Sequence, residues 1–189
     1  MKRVLVRAAV FFCAFLFCAG SGQAFARDPR LENIILTNTR DHLLLYLTVK
    51  DAFPPKIVEA IQSGVSATFI FHIDLYRVRN FFPDKRIKGA QLTHSMKYDN
   101  LKKEYLVTRS WQESRRLTIQ SLADAQKLMT NIDSLNIVTL ESLEEGRQYQ
   151  IRAKAELNKM TLPFYLHYLL FFVSFWDLET DWYTIDFIY

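Results

Sequence analysis

His72 and Asp74 stand two residues apart in the run Val65–Arg79, VSATFIFHIDLYRVR. In an extended chain they share one face with side chains about 7 Å apart. With His94 as a third member, these residue types supply metal ligands or an acid–base pair, the equipment of a periplasmic metal-dependent or hydrolytic enzyme. The competing reading is a hydrogen-bonded pair on the outer face of a sheet, and no ligand-spacing motif accompanies the three residues. Asp177, Glu179 and Asp181 also alternate and would align three carboxylates for calcium or magnesium. The spacing and central glycine of a calcium-binding loop are missing, which leaves a solvated strand or turn as the simpler reading.

A third constellation is basic and aromatic. Arg77, Arg79, Lys85, Arg86 and Lys88 surround Tyr76, Phe81 and Phe82. Such interleaving suits an acidic partner surface or a lipid headgroup, so Arg77, Arg79, Tyr76, Phe81 and Phe82 are the candidate binding residues. The plain alternative is a charged loop. Nucleophilic catalysis finds no support: Ser63 and Ser66 flank Gly64-Val65, which is no nucleophile elbow. The sequence holds no phosphate-cradling loop, dinucleotide fingerprint or H-E-x-x-H helix. These observations favour a non-enzymatic module with no cofactor and no bound metal.

The elements that would position these groups are mostly strands. Glu32–Thr39 and His42–Lys50 read as a hairpin across Arg40-Asp41, with Leu43, Leu45, Leu47 and Val49 on one face. Asp51-Ala-Phe-Pro-Pro opens a short helix reaching about Ser63, with proline at its start and Gly64 past its end. Val65–Arg79 alternates most clearly, and a loop carrying Pro83-Asp84 and Gly89 follows it. Ala90–Tyr98 and Glu104–Arg109 form a second hairpin around Asp99-Asn100-Leu101-Lys102. Ser121–Ile132 has a serine cap and a helical apolar stripe. Leu135–Leu140, Arg147–Leu157 and Asp181–Tyr189 complete the strands. The expected fold is a mainly β protein, an antiparallel β-sandwich with two or three short helices.

The first 26 residues have the pattern of an export signal. Lys2, Arg3 and Arg7 precede an uncharged run from Ala8 to Ala19, and Ala24-Phe25-Ala26 offers a small-x-small cleavage site. Cleavage after Ala26 would leave a single β-rich domain over 27–189, periplasmic or otherwise extracytoplasmic. Cys13 and Cys18 would depart with the signal, and the balance would fall to 21 basic against 20 acidic residues. That near-neutral charge offers no general attraction to nucleic acid. Leu162–Trp176 is the most apolar later stretch; at 15 residues it is short for a span and reads as buried core or as a membrane-contacting segment. The alternating Tyr183, Ile185, Phe187 and Tyr189 resemble the last strand of an outer-membrane barrel, but the helical segments interrupt such a pattern. An envelope-anchored or outer-membrane-associated structural protein is therefore a further alternative.

Several motifs recur together along the chain: Ser63-Gly64, Phe69-x-Phe71, Leu75-Tyr76-Arg77-Val78-Arg79, Tyr98-Asp99-x-Leu101, Tyr105-x-Val107, Leu162-Pro163 and Asp181-Trp182-Tyr183. With these, the chain resembles the bacterial domain of unknown function 4390 family. The resemblance implies an exported protein without an assigned activity. It also implies a regulatory accessory role, because some family genes lie beside a membrane sensor histidine kinase. An envelope or membrane protein is the partner this suggests.

Overall fold

Strict alternation of apolar residues governs the architecture. In the computed structural model, which describes residues 28–112, 116–158 and 178–189, Leu43, Leu45, Leu47 and Val49 all turn inward from one strand. Phe69, Phe71, Ile73 and Leu75 do the same from another. Side chains two apart share a face, so each strand contributes a continuous apolar stripe to whatever lies opposite. The export segment 1–26, the apolar run 162–176 and Asp177 lie outside the described residues.

The first hairpin comprises β1 (Arg30–Asn38) and β2 (His42–Lys50), followed by helix α1 (Pro55–Gln62). Then come β3 (Ala67–Arg77), β4 (Lys85–Asp99), β5 (Glu104–Arg109) and β6 (Arg116–Ile119). Helix α2 (Leu122–Thr130) leads directly into β7 (Asn131–Thr139), and β8 (Gln148–Leu157) and β9 (Tyr183–Ile188) follow. Two antiparallel sheets result, one ordered β1-β2-β7 and the other β6-β5-β4-β3-β8-β9. Their apolar faces enclose one core, in which Leu45 and Leu47 of the small sheet join Phe69, Phe71 and Ile73 of the large one. Ile57 and Ile61 of α1 and Met129 of α2 belong to the same core. The protein is mainly β and sandwich-like, and among the described residues neither sheet closes on itself.

Helix α1 ends as its sequence requires. The Gly64 N–H donates to the Ile61 carbonyl and the Val65 N–H to the Ala60 carbonyl, the paired bonds of a left-handed helix stop. Gly64 has φ +88°, and a Cβ there would meet the Asn100 amide at 3.2 Å. Replacing Gly64 with alanine should cost about 1 kcal/mol through left-handed strain. A melting temperature within 1 °C of the wild type for Gly64→Ala would contradict this account.

Several boundaries differ from the sequence reading, by a residue or two at most ends, by four at the start of β7, which begins at Asn131 and not Leu135, and by more at β4. Strand β4 begins at Lys85, not Ala90, so Lys85, Arg86, Lys88 and Gly89 are strand and not loop. The extra length arises because β3 is eleven residues long and offers Asp74–Arg77 as backbone partners, with an irregularity between Leu75 and Tyr76. Gly89 sits opposite Asp74, where a Cβ would fall 1.9 Å from the Arg86 guanidinium and 2.6 Å from the Asp74 carboxylate. Its missing side chain leaves room for an ion pair laid across the sheet. Ile132 continues the apolar stripe of α2 in sequence but lies in β7, because the backbone turns extended at Asn131. The four-residue strand β6 has too short an alternation to stand out in sequence.

Candidate functional site

The outer face of the large sheet gathers the polar residues of β3 and β8, which pair along their length. His72 Nε2 lies 3.1 Å from Glu156 Oε1, and Arg86 binds the Asp74 carboxylate. Arg152 reaches Asp84 at 3.1 Å while its guanidinium rests 4.4 Å from the centre of the Tyr76 ring. Lys154 binds Glu179 at 2.7 Å, and the Gln150 amide donates to Asp186 at 2.9 Å. Each of these groups is thus engaged by a neighbouring strand or loop of the same chain. Asp181 is exposed.

His72, Asp74 and His94 do not converge. His72 and Asp74 share the outer face, but each bonds a different neighbour. His94 lies opposite the buried Phe69 on the inner face and is fully buried. Its Nδ1–H donates to the Met129 carbonyl at 2.9 Å, and its Nε2 accepts from the Trp111 indole N–H at 2.8 Å. These two partners fix a neutral tautomer, since a carbonyl only accepts and an indole N–H only donates. Burial, reinforced by the Arg109 cation and opposed by the Met129 bond, lowers its pKa to about 4. Among the described residues no group of three or more His, Cys, Asp or Glu side chains could hold a metal ion.

The basic and aromatic constellation has a different fate. At one end of the sheet the chain leaves β3 through Val78, whose N–H donates to the Gln148 carbonyl at 2.9 Å. It returns at Asp84, which accepts from the Arg79 backbone N–H and also binds Arg152. Both feet of the loop are thereby pinned to the sheet, while Phe81 and Phe82 at its tip are 92% and 70% exposed. The loop forms one wall of a cleft of about 690 Å³. Arg77, Arg79, Phe81 and Phe82 line it, and Glu144, Arg147 and Ile188 line it from the far side. Glu144 binds Arg77 and lies 3.5 Å from Arg147. Among the described residues no carboxylate stands within ion-pair distance of the Arg79 guanidinium, so the cleft carries more positive than negative charge.

Of the five candidate binding residues, four meet in this cleft. Tyr76 points to the other face, beneath Arg152, because the strand alternates its side chains. The sequence reading missed Glu144, Arg147 and Ile188, which reach the cleft only through the β3–β8 and β8–β9 pairings. Gly146, with φ +72°, was their local signal: it marks the turn that delivers Arg147 to the start of β8.

A family model described as "Domain of unknown function (DUF4390)" matches residues 26–186. The chain belongs to the DUF4390 family. The match includes both sheets but for Phe187 and Ile188 at the end of β9, and every residue of the cleft except Ile188. For this DUF4390 protein, comparison with curated proteins and with solved structures returned no match.

Proposed function

We propose that this DUF4390 protein is an exported, non-enzymatic binding module that serves as an accessory to a membrane sensor kinase, and that the cleft beside Phe81 and Phe82 receives its partner. One contrast supports the reading. Polar groups along the outer sheet face are occupied by partners within the chain, whereas the cleft joins arginines from two separate segments to exposed aromatic rings. Exposed aromatic and arginine side chains are the types that most often anchor interfaces. A cleft of this volume lies in the range that binds small molecules or a short peptide segment.

The reading is tested with a photo-crosslinking amino acid at Phe82 in the full chain, expressed in its own cell envelope. The control position is Leu101, which is 95% exposed at the tip of the β4–β5 hairpin. The expected result is a discrete membrane-protein adduct from position 82 that is absent from position 101. Equal labelling from both positions, or no adduct from position 82, would overturn it.

A further inference from the structure

Glu144 occupies the cleft in a way that bears on what else can enter. Its carboxylate engages Arg77, which ends β3, and approaches Arg147, which precedes β8. The Glu144 backbone N–H donates to the Tyr149 hydroxyl at 2.8 Å, so the residue is fixed by its main chain while its side chain stays more than half exposed. Arg77 is largely buried, but the Glu144 side of the pair is open to solvent, which screens it and lets another carboxylate take its place. The two arginines thus already hold a carboxylate carried on a polypeptide loop, with Phe81, Phe82 and Ile188 exposed nearby.

We propose that Glu144 is a built-in competitor, and that the cleft binds an acidic segment of a partner protein whose carboxylate takes its place between Arg77 and Arg147. The proposal rests on the binding reading above and specifies its ligand: Asp or Glu flanked by aromatic or aliphatic residues. Arg79 meets a second carboxylate, and Phe81 and Phe82 cover the apolar neighbours. Guanidinium groups favour planar oxygen acids through paired, charge-assisted hydrogen bonds. The arginines line a concavity, which admits a chain segment more readily than the plane of a bilayer.

The probe is a fluorescein-labelled peptide, acetyl-Glu-Phe-Glu-Glu-Phe-Glu, followed by anisotropy with the purified exported protein. Glu144→Gln should bind it about 5- to 10-fold more tightly than the wild type, and Arg147→Gln about 5-fold more weakly. Glu144→Ala repeats the measurement without an amide that could still bridge the arginines. Both residues are more than half exposed, so far-UV circular dichroism should match the wild type. If the wild type binds the peptide and neither Glu144 variant gains affinity, the competitor role is wrong while the cleft reading stands. Binding to phosphatidylglycerol vesicles without peptide binding would overturn the acidic-segment assignment in favour of a lipid surface. Failure of every variant to bind peptide or vesicle, together with no adduct from position 82, would remove both readings.

Discussion

Between pH 7 and pH 4 the protein should lose about 3 kcal/mol of stability through His94 alone. In the unfolded chain this imidazole titrates near 6.5, whereas in the folded protein it stays neutral down to about 4. Between those two values the unfolded state binds the extra proton, so stability falls as pH falls through that window. Above about 6.5 the contribution is complete, and below about 4 no further loss comes from this group. The geometry explains the size. A proton on Nε2 would face the Trp111 indole N–H, which has nothing to accept with, and the cation of Arg109 lies close by. Other groups titrate in the same range, so the measurement is a difference: urea unfolding of wild type and His94→Gln from pH 7.5 to 4.5. The wild type should lose about 2.5 kcal/mol more than the variant over that range. Parallel stability curves for the two proteins would show that His94 does not titrate as its surroundings require.

Two neighbours on β3 should differ severalfold in their weight. Phe71 is fully buried, with the His94 ring centre 4.8 Å away and Phe69 at 6.4 Å. Truncating it to alanine removes most of a ring from a close-packed core and leaves a cavity, at a cost of about 3–5 kcal/mol. Against a typical total of about 5–15 kcal/mol, that brings the protein near its limit. His72, the next residue, points out of the sheet and pairs with Glu156 with about a third of each side chain exposed. His72→Ala should cost at most about 1 kcal/mol. Denaturant midpoints for the two variants measure the difference, and similar losses would mean that β3 has been assigned the wrong face.

Local pattern carried the strands with one buried and one open face. The alternation from Leu43 to Val49 and from Ala67 to Leu75 appears in the sequence because each such strand has a dry side and a wet side. The helix α1 was legible from Pro55 and Gly64, since each residue has a backbone reason to stand at its end. The start of β4 was not. Gly89 looks like a loop residue until Asp74 and Arg86 are known to meet above it. His94 was misplaced for a related reason: its type suggests chemistry, while its position opposite Phe69 makes it core, and only the register reveals that. The cleft was half legible. Arg77 to Phe82 are contiguous, but Glu144 and Arg147 lie far along the chain, and Gly146 between them marks a turn without showing which strand that turn will face.

That separation has a kinetic consequence. Arg77 pairs with Tyr149 across about 70 residues, whereas β3 and β4 close through a short loop. Bringing β8 to β3 carries the larger loop-closure cost, so the local hairpins should form ahead of it and the non-local pairing should set the pace of folding. The cleft has one wall from each side of that slow step. A nascent or clipped chain can own β3 to β6 in full and still have no cleft, so the binding proposed for it would report on finished folding.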